Sequence, residues 1–115
     1  MVSWGPWDGP VKRKNTKEAA VMKHYEFYRL AQGADVMKVQ EKVWKAWEKL
    51  DAELDWLNHP VVLRSCNPAD DFDLMSVAEM DGEELLEQCL THPRYVKLTE
   101  ALKDLVASKA TFDHY

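Results

Sequence analysis

From about residue 20 onward, the arrangement of apolar and polar residues along the chain predicts a succession of strands and helices. The segment from Ala20 to Leu30 clusters apolar and aromatic side chains without a glycine or proline, which predicts a first strand. Both faces of this strand mix polar with apolar side chains, so the pattern alone does not identify the solvent side. One face would carry Met22, His24, Glu26, Tyr28 and Leu30, and the other Lys23, Tyr25, Phe27 and Arg29.

Apolar residues then repeat every three or four positions, as they do along one face of an amphipathic helix. Asp35 is a suitable N-cap, and the pattern predicts a helix from there to about Leu57. Asn58-His59-Pro60 would end it, because the residue before a proline avoids the helical conformation. The repeating positions are Val36, Val39, Val43, Trp47, Leu50, Leu54 and Leu57.

The second half of the chain predicts a hairpin, a broken helix and a last strand. Strands are expected at Val61–Cys66 and Phe72–Met80, separated by residues typical of turns. Asp81 would cap a helix that runs to about Thr91, and a second helical stretch would run from Pro93 to about Ser108. Residues from Thr111 to Tyr115 complete the chain as a strand.

The resulting order, β-α-β-β-α-β, is that of an α+β, ferredoxin-like fold. Its four-stranded antiparallel sheet carries both helices on one face, which leaves the other face to solvent or to a partner. Tyr25, Phe27, Met75 and Val77 would lie on that open face. An apolar patch of this kind usually marks an interface, so we expect a homodimer that stacks two sheets into a barrel.

The composition of the chain excludes several classes of protein. The chain of 115 residues has 46% hydrophobic and 30% charged residues, which fits one globular domain. A net charge of −5 argues against a general nucleic-acid binder, and no window has the roughly 18 consecutive apolar residues of a membrane helix. Cys66 and Cys89 have no CxxC spacing, which favours reduced thiols. We therefore expect a cytoplasmic protein, with nucleic acid and membrane absent from its partners.

Residues 1–19 differ from the predicted domain at residues 20–115. Glycines and prolines interrupt this segment, and a mostly charged stretch follows them. Trp4 and Trp7 are unusual for a disordered tail, because such tails are poor in aromatic residues. The segment is either a loose extension or an arm whose tryptophans pack on the domain or on a partner subunit.

Several landmarks resemble the stress-responsive A/B barrel domain, a dimeric α+β barrel family also called Dabb. Lys23-His24 opens the first strand, Thr91-His92-Pro93 follows a helix that contains Glu83-Glu84-Leu85-Leu86, and Phe112-Asp113 lies in the last strand. Asp73-Leu74 opens the third strand. The resemblance covers about residues 20–115 and implies a homodimer with a pocket between sheet and helices in each subunit.

The resemblance also implies roles for individual residues. Olivetolic acid cyclase, a plant member of the family, closes a polyketide ring with a histidine three residues after the His-Pro histidine and a tyrosine three before it. An aspartate in its last strand orients the catalytic histidine. His24, His92 and Asp113 match the family pattern, whereas Tyr95 and Cys89 replace the catalytic pair. A tyrosine is not a base poised near neutral pH as histidine is, so the plant mechanism does not transfer.

Four residues are candidates for catalysis. Glu26 is unusual within a strand, and with His24 and Tyr95 it could form a proton-moving cluster, or it could instead pair with Arg29 or a helix lysine. Asp113 could orient His24 or Tyr95, or it could be a solvated terminal charge. Tyr95 and His24 also have ordinary structural interpretations, as a core filler and as a donor to a neighbouring backbone group.

A second set of residues would line the pocket and contact a small organic ligand. His92 is also suited to capping the broken helix, and Cys89 to filling the core as a small apolar residue. No histidine or carboxylate spacing suggests a metal site, and no cofactor is expected. The substrate-binding candidates are Tyr28, Trp47, Ser76, Ala78, Cys89 and His92.

The sequence is compatible with three functions. The first is an acid–base enzyme, such as a cyclase, isomerase or lyase, acting on an aromatic or polyketide-like compound. The second is a non-catalytic, stress-associated or ligand-binding homodimer, because Tyr95 and Cys89 replace the family's catalytic pair. The third is a cofactor-free oxygenase of the same superfamily, by analogy of fold alone.

Overall fold

Four strands and three helices make up residues 21–115, the part of the chain that the computed structural model describes. The predicted extension at residues 1–19, with Trp4 and Trp7, lies outside these residues, so its role stays a prediction. In chain order the elements are β1 (Met22–Leu30), α1 (Val36–Glu53), β2 (Leu57–Arg64), β3 (Leu74–Met80), a 3-10 turn (Glu83–Leu85), α2 (Leu86–Leu90), α3 (Pro93–Leu102) and β4 (Val106–His114).

The strands form one antiparallel sheet in the order β2-β3-β1-β4. This order and the β-α-β-β-α-β sequence confirm the predicted α+β, ferredoxin-like fold. β1 lies in the interior of the sheet, between β3 and β4. Side chains from β1 therefore have neighbours on both sides, which matters for the site described below.

Helix α1 packs the expected apolar stripe against one face of the sheet. Asp35 caps it as predicted, because its Oδ1 accepts hydrogen bonds from the backbone N–H groups of Met37 and Lys38 at 3.1 and 3.3 Å. Burying each aliphatic side chain contributes roughly 1.5–3 kcal/mol to folding, so this stripe anchors the helix. The buried residues of α1 are Val39, Val43, Trp47 and Leu50. No helix within residues 21–115 is long and apolar enough to span a bilayer.

The predicted end of the first helix and start of the second strand were wrong. α1 ends at Glu53, and Leu57 is already the first residue of β2, where it is buried and pairs with Met80. The strand continues through His59 and Pro60 with an irregular register and a positive φ of 52° at His59. Residues on both sides of this irregularity pair with β3, and this pairing outweighs the local helical pattern.

The predicted end of the second helix was also wrong. α3 stops at Leu102, and β4 begins at Val106, five residues before the predicted strand at Thr111. The long pairing between β4 and β1 accounts for this early start, because it satisfies backbone groups along most of both strands. The preceding helical segment begins after Gly82, as a 3-10 turn without a side-chain cap, and not at Asp81.

The sheet face opposite the helices carries the expected apolar patch. Tyr25, Phe27, Met75 and Val77 lie on this face, where all four are partly exposed. Three further side chains extend the patch, and their exposed fractions are substantial: Val61 at 41%, Leu63 at 51% and Phe112 at 58%. We call this surface, defined by these seven residues, the open sheet face.

Candidate functional site

Alternation along β1 directs three polar side chains toward the helices. His24, Glu26 and Tyr28 have exposed fractions of 2%, 0% and 1%, so all three are buried. The pairing of β1 with β4 places Asp113 opposite His24 and Lys109 opposite Tyr28. Directly paired residues share a face of the sheet, so β4 adds a carboxylate and an ammonium group to the same side.

Glu26 is the centre of this polar cluster. Its Oε2 lies 2.8 Å from Nε2 of His24 and accepts a hydrogen bond of 2.6 Å from the hydroxyl of Tyr95. Its Oε1 accepts a hydrogen bond from the hydroxyl of Tyr28. His24 Nδ1 lies 2.5 Å from Oδ1 of Asp113. The structure thus brings together all four residues predicted to be catalytic.

Lys109 completes the cluster from the side of β4. Its ammonium donates a hydrogen bond of 2.6 Å to the hydroxyl oxygen of Tyr95 and lies 3.5 Å from Oε1 of Glu26. It also lies 5.1 and 5.5 Å from the ring centres of Tyr95 and Tyr28, within the range of a cation–π contact. Glu26 therefore pairs with a strand lysine, and neither with Arg29 nor with a helix lysine.

The charges in the cluster stabilise one another. Burial alone would raise the pKa of Glu26, but the hydrogen bond from His24, the charge of Lys109 and the two tyrosine hydroxyls lower it to about 2. Burial alone would lower the pKa of His24, but the hydrogen bonds and negative charges of Glu26 and Asp113 outweigh it and raise the pKa. The resting cluster thus favours a carboxylate beside an imidazolium that donates from both nitrogens.

The buried hydroxyl and thiol groups stay protonated. Burial, together with the charge and hydrogen bonding of Glu26, raises the pKa of Tyr95 and of Tyr28 well above the usual tyrosine range. Burial, assisted by the charge of Glu26, raises the pKa of Cys89 to about 12. Tyr95 therefore stays a hydrogen-bond donor at neutral pH, and Cys89 is not a poised nucleophile.

A cavity of about 190 Å³ lies beside the cluster, at the side of β4. Tyr28, Tyr95 and Lys109 belong to both the cluster and the cavity wall, whereas His24 and Glu26 lie behind them. A molecule in this cavity would meet the ammonium of Lys109 and the ring of Tyr95 first. The remaining lining residues are Leu98, Thr99, Leu102, Lys103 and Val106.

The other predicted ligand-binding residues surround the cluster and do not line this cavity. Trp47 packs between the rings of His24 and Tyr95, with ring centres 6.4 and 6.0 Å away. Its Nε1 is buried and has no hydrogen-bond partner among residues 21–115. Ser76, Ala78 and Cys89 are buried in the core.

His92 lies at the start of α3 and not in the cluster. Its Nδ1 accepts a hydrogen bond of 3.1 Å from the backbone N–H of Arg94, and its Nε2 lies 3.3 Å from Oε1 of Glu53. The hydrogen bond from Arg94 caps the helix, which is the structural role considered for this residue from the sequence.

Lys109 is the functional candidate that the sequence prediction missed. The residue fell in the gap between the predicted helix and the predicted last strand, where no face could be assigned to it. The signal that could have identified it is the spacing of Lys109, Thr111 and Asp113, since alternate residues of one strand share a face. A strand begun a few residues earlier would have placed Lys109 beside β1.

Within residues 21–115, no group of three or more histidine, cysteine, aspartate or glutamate side chains is arranged to hold a metal ion. The chemistry that this cluster itself offers is proton transfer and the stabilisation of negative charge. Both follow from an ammonium and a neutral phenol placed side by side over a buried carboxylate.

Comparisons with known proteins agree with this architecture. The model of the stress-responsive A/B barrel domain, Dabb, matches residues 22–115. A dimeric protein of unknown function and ferredoxin-like fold from Bacteroides fragilis superposes with a TM-score of 0.73 at 22% identity, over 82% of this chain and 94% of that chain. A search of curated proteins finds no significant match.

Two solved enzymes share the fold at low identity. A hydroxynitrile lyase from Passiflora edulis has a TM-score of 0.68 at 10% identity, over 83% of this chain and 92% of that chain. A cofactor-independent oxygenase from Streptomyces nogalater has a TM-score of 0.67 at 10% identity, over 84% of this chain and 92% of that chain. These superpositions show a common fold. At identities this low, the reaction has to be argued from the residues of the site.

Proposed function

Because the chain belongs to the stress-responsive A/B barrel family, we propose that it is a small-molecule enzyme whose pocket polarises a carbonyl group. The observation that carries this proposal is the contact of Lys109 with Tyr95 at the wall of the cavity. An ammonium group has three N–H donors. One of them bonds to Tyr95, and the carboxylate of Glu26 lies 3.5 Å away as an ion pair. A remaining N–H donor is available to a substrate oxygen.

The cluster suits reactions in which negative charge develops on that oxygen. Lys109 would stabilise an enolate or alkoxide, with Tyr95 and Glu26 holding its ammonium group in place. The proton that leaves the substrate carbon would pass to solvent in the cavity. The imidazolium form of His24, and a Tyr95 hydroxyl whose raised pKa keeps it protonated, leave the site without a poised neutral base. Cyclisation, isomerisation and lyase reactions next to a carbonyl fit this requirement.

The size of the cavity restricts the substrate. A volume of about 190 Å³ is below the roughly 300 Å³ at which drug-sized ligand pockets begin, which favours a compact compound. Aromatic rings and the ammonium groups of Lys103 and Lys109 line the pocket, so a small aromatic or polyketide-like ketone is the class that we propose. The hydroxynitrile lyase and the oxygenase of the same fold also support a small-molecule substrate for this architecture.

Benzoylacetone provides a direct test, because it is a small aromatic diketone whose α-proton exchanges with deuterium through an enolate. We expect the protein to accelerate this exchange, followed by NMR, and Lys109→Met to reduce the acceleration about a hundredfold, as removal of one oxyanion donor does. Tyr95→Phe should also reduce it, whereas Tyr115→Phe, which alters an exposed hydroxyl bonded to Glu83, should not. Equal rates in wild type and Lys109→Met would overturn the assignment.

A second function is favoured by the complete hydrogen bonding of Glu26. A fully satisfied carboxylate is also what a rigid, non-catalytic binding pocket would contain. In that case benzoylacetone should raise the melting temperature of the wild type without any accelerated exchange. Thermal shift and exchange, measured on the same samples, separate the two functions.

We also propose that the protein is a homodimer joined through the open sheet face. Leu63 and Phe112 are about half exposed there, and the related structure from Bacteroides fragilis is described as dimeric. A two-fold axis would cover this face with its own copy. The oxygenase alternative raised from the sequence rests on the shared fold and has no further support in the site.

A charge introduced into the open sheet face should therefore separate the subunits. We expect Phe112→Asp to convert a dimer to a monomer in size-exclusion chromatography with light scattering, because a two-fold interface buries each substitution twice. Val96→Asp is the matched control, since Val96 is 47% exposed on α3 and away from the sheet face. A wild-type protein that is monomeric at all concentrations would disprove the proposed dimer.

A further inference from the structure

A groove between α1 and α3 on the outer surface carries a concentration of positive charge. Lys42, Lys45 and Lys49 follow one another at three- and four-residue steps, which places them on one stripe of α1. Arg94 and Lys97 face them from α3. The groove encloses about 320 Å³ and is separate from the cavity beside the polar cluster. The uncharged lining residues are Ala46, Leu98 and Ala101.

Most of this charge is uncompensated within the described part of the chain. Lys45 lies 3.2 Å from Glu41 on an exposed turn of α1, and Arg94 donates to Glu53. Among residues 21–115, no carboxylate oxygen lies within 4.0 Å of the ammonium groups of Lys42, Lys49 or Lys97. Like charges gathered in one groove repel one another, and a bound anion would relieve this repulsion.

The charge of the groove contrasts with that of the whole chain. The net charge is −5, yet five of the 15 lysine and arginine residues line this single groove. An acidic protein repels a long polyanion such as duplex nucleic acid at a distance. A short anion that fits inside the groove experiences mainly the local cations, because salt screens charges more than about 10 Å away.

Shape and chemistry indicate the kind of anion. A groove of about 320 Å³ lies within the size range of small-molecule sites, and the small side chains of Ala46 and Ala101 in its lining leave space between the helices. Lysine ammonium groups bind phosphate as point charges, and the separate positions of the four lysines match several anionic groups better than one. We propose that this groove, defined by Lys42, Lys45, Lys49, Arg94 and Lys97, binds a soluble compound with at least two phosphate groups.

Isothermal titration of the full chain with pyrophosphate and tripolyphosphate tests this proposal. We expect both to bind at low ionic strength, tripolyphosphate more tightly, with affinity falling as salt is added. The double variant Lys42→Gln/Lys97→Gln should weaken tripolyphosphate binding about tenfold or more. Both substituted residues are exposed and remote from the core, so circular dichroism should show unchanged folding.

The control variant Arg64→Gln/Lys103→Gln removes the same charge outside the groove. It should bind tripolyphosphate within about twofold of the wild type, since distant exposed charges contribute little. Lys103 lines the cavity beside the polar cluster, so a loss in this control would assign the anion to that cavity and overturn the groove. No binding of either phosphate, or binding only to a single-stranded oligonucleotide or to anionic vesicles, would also overturn the proposal.

Discussion

Glu26→Gln should be among the most destabilising single substitutions in this protein, with an expected loss of about 3 to 5 kcal/mol. The carboxylate of Glu26 is fully buried and contacts His24, Tyr28, Tyr95 and Lys109. Glutamine has nearly the same shape but no charge, and its amide nitrogen cannot accept a hydrogen bond. The substitution therefore leaves the positive charges of His24 and Lys109 without their common partner.

Urea denaturation at pH 6 measures this loss directly. The midpoint should fall while the slope of the transition stays unchanged, because the substitution changes stability and not the surface exposed on unfolding. Glu41→Gln is the matched control, since Glu41 is exposed on α1 and should change stability by less than about 0.5 kcal/mol. A loss below about 1 kcal/mol for Glu26→Gln would show that the cluster does not depend on the carboxylate charge.

Stability should also depend on pH in two separate regions. The pKa of Glu26 is lowered from 4.5 to about 2 on folding, so its contribution is present above 4.5 and is lost as the pH falls toward 2. A change of this size corresponds to about 3 kcal/mol. The pKa of His24 is raised above 6.5, so its contribution is complete below 6.5 and is lost as the pH rises through the folded value.

Urea unfolding from about pH 3 to about pH 9 should therefore give a maximum of stability on the weakly acidic side. His24→Gln should remove the decline above 6.5, because the variant has no imidazole to deprotonate. His59→Gln should retain that decline, since His59 is 79% exposed. Glu26→Gln should reduce the loss of stability that the wild type shows on acidification. A stability profile of the wild type that does not change between the weakly acidic and the alkaline side would contradict the protonated pairing of His24 with its carboxylates.

Much of the architecture could be predicted from local sequence patterns. The alternation in β1 identified the face that carries His24, Glu26 and Tyr28, and the apolar stripe identified α1 with Asp35 as its cap. The proline at position 93 located the break before α3. Each of these signals depends on residues within a few positions of one another, which is why periodicity and capping rules detect them.

The element ends were less predictable. Leu57 continues the apolar stripe of α1, yet it belongs to β2, and Val106 begins β4 where a helical continuation was expected. In both places the pairing with a distant strand decides the backbone conformation. Such pairing is non-local, so a window of sequence does not contain the information.

For the candidate site, the sequence by itself determined the types of group and the face of β1 on which they lie. Only the tertiary structure decided which of them meet. The register of β4 against β1 places Lys109 beside Tyr28 and Asp113 beside His24, and the packing of α3 brings Tyr95 to Glu26. A strand register is set by contacts along its whole length, and a shift by one residue would turn Lys109 and Asp113 to the opposite face.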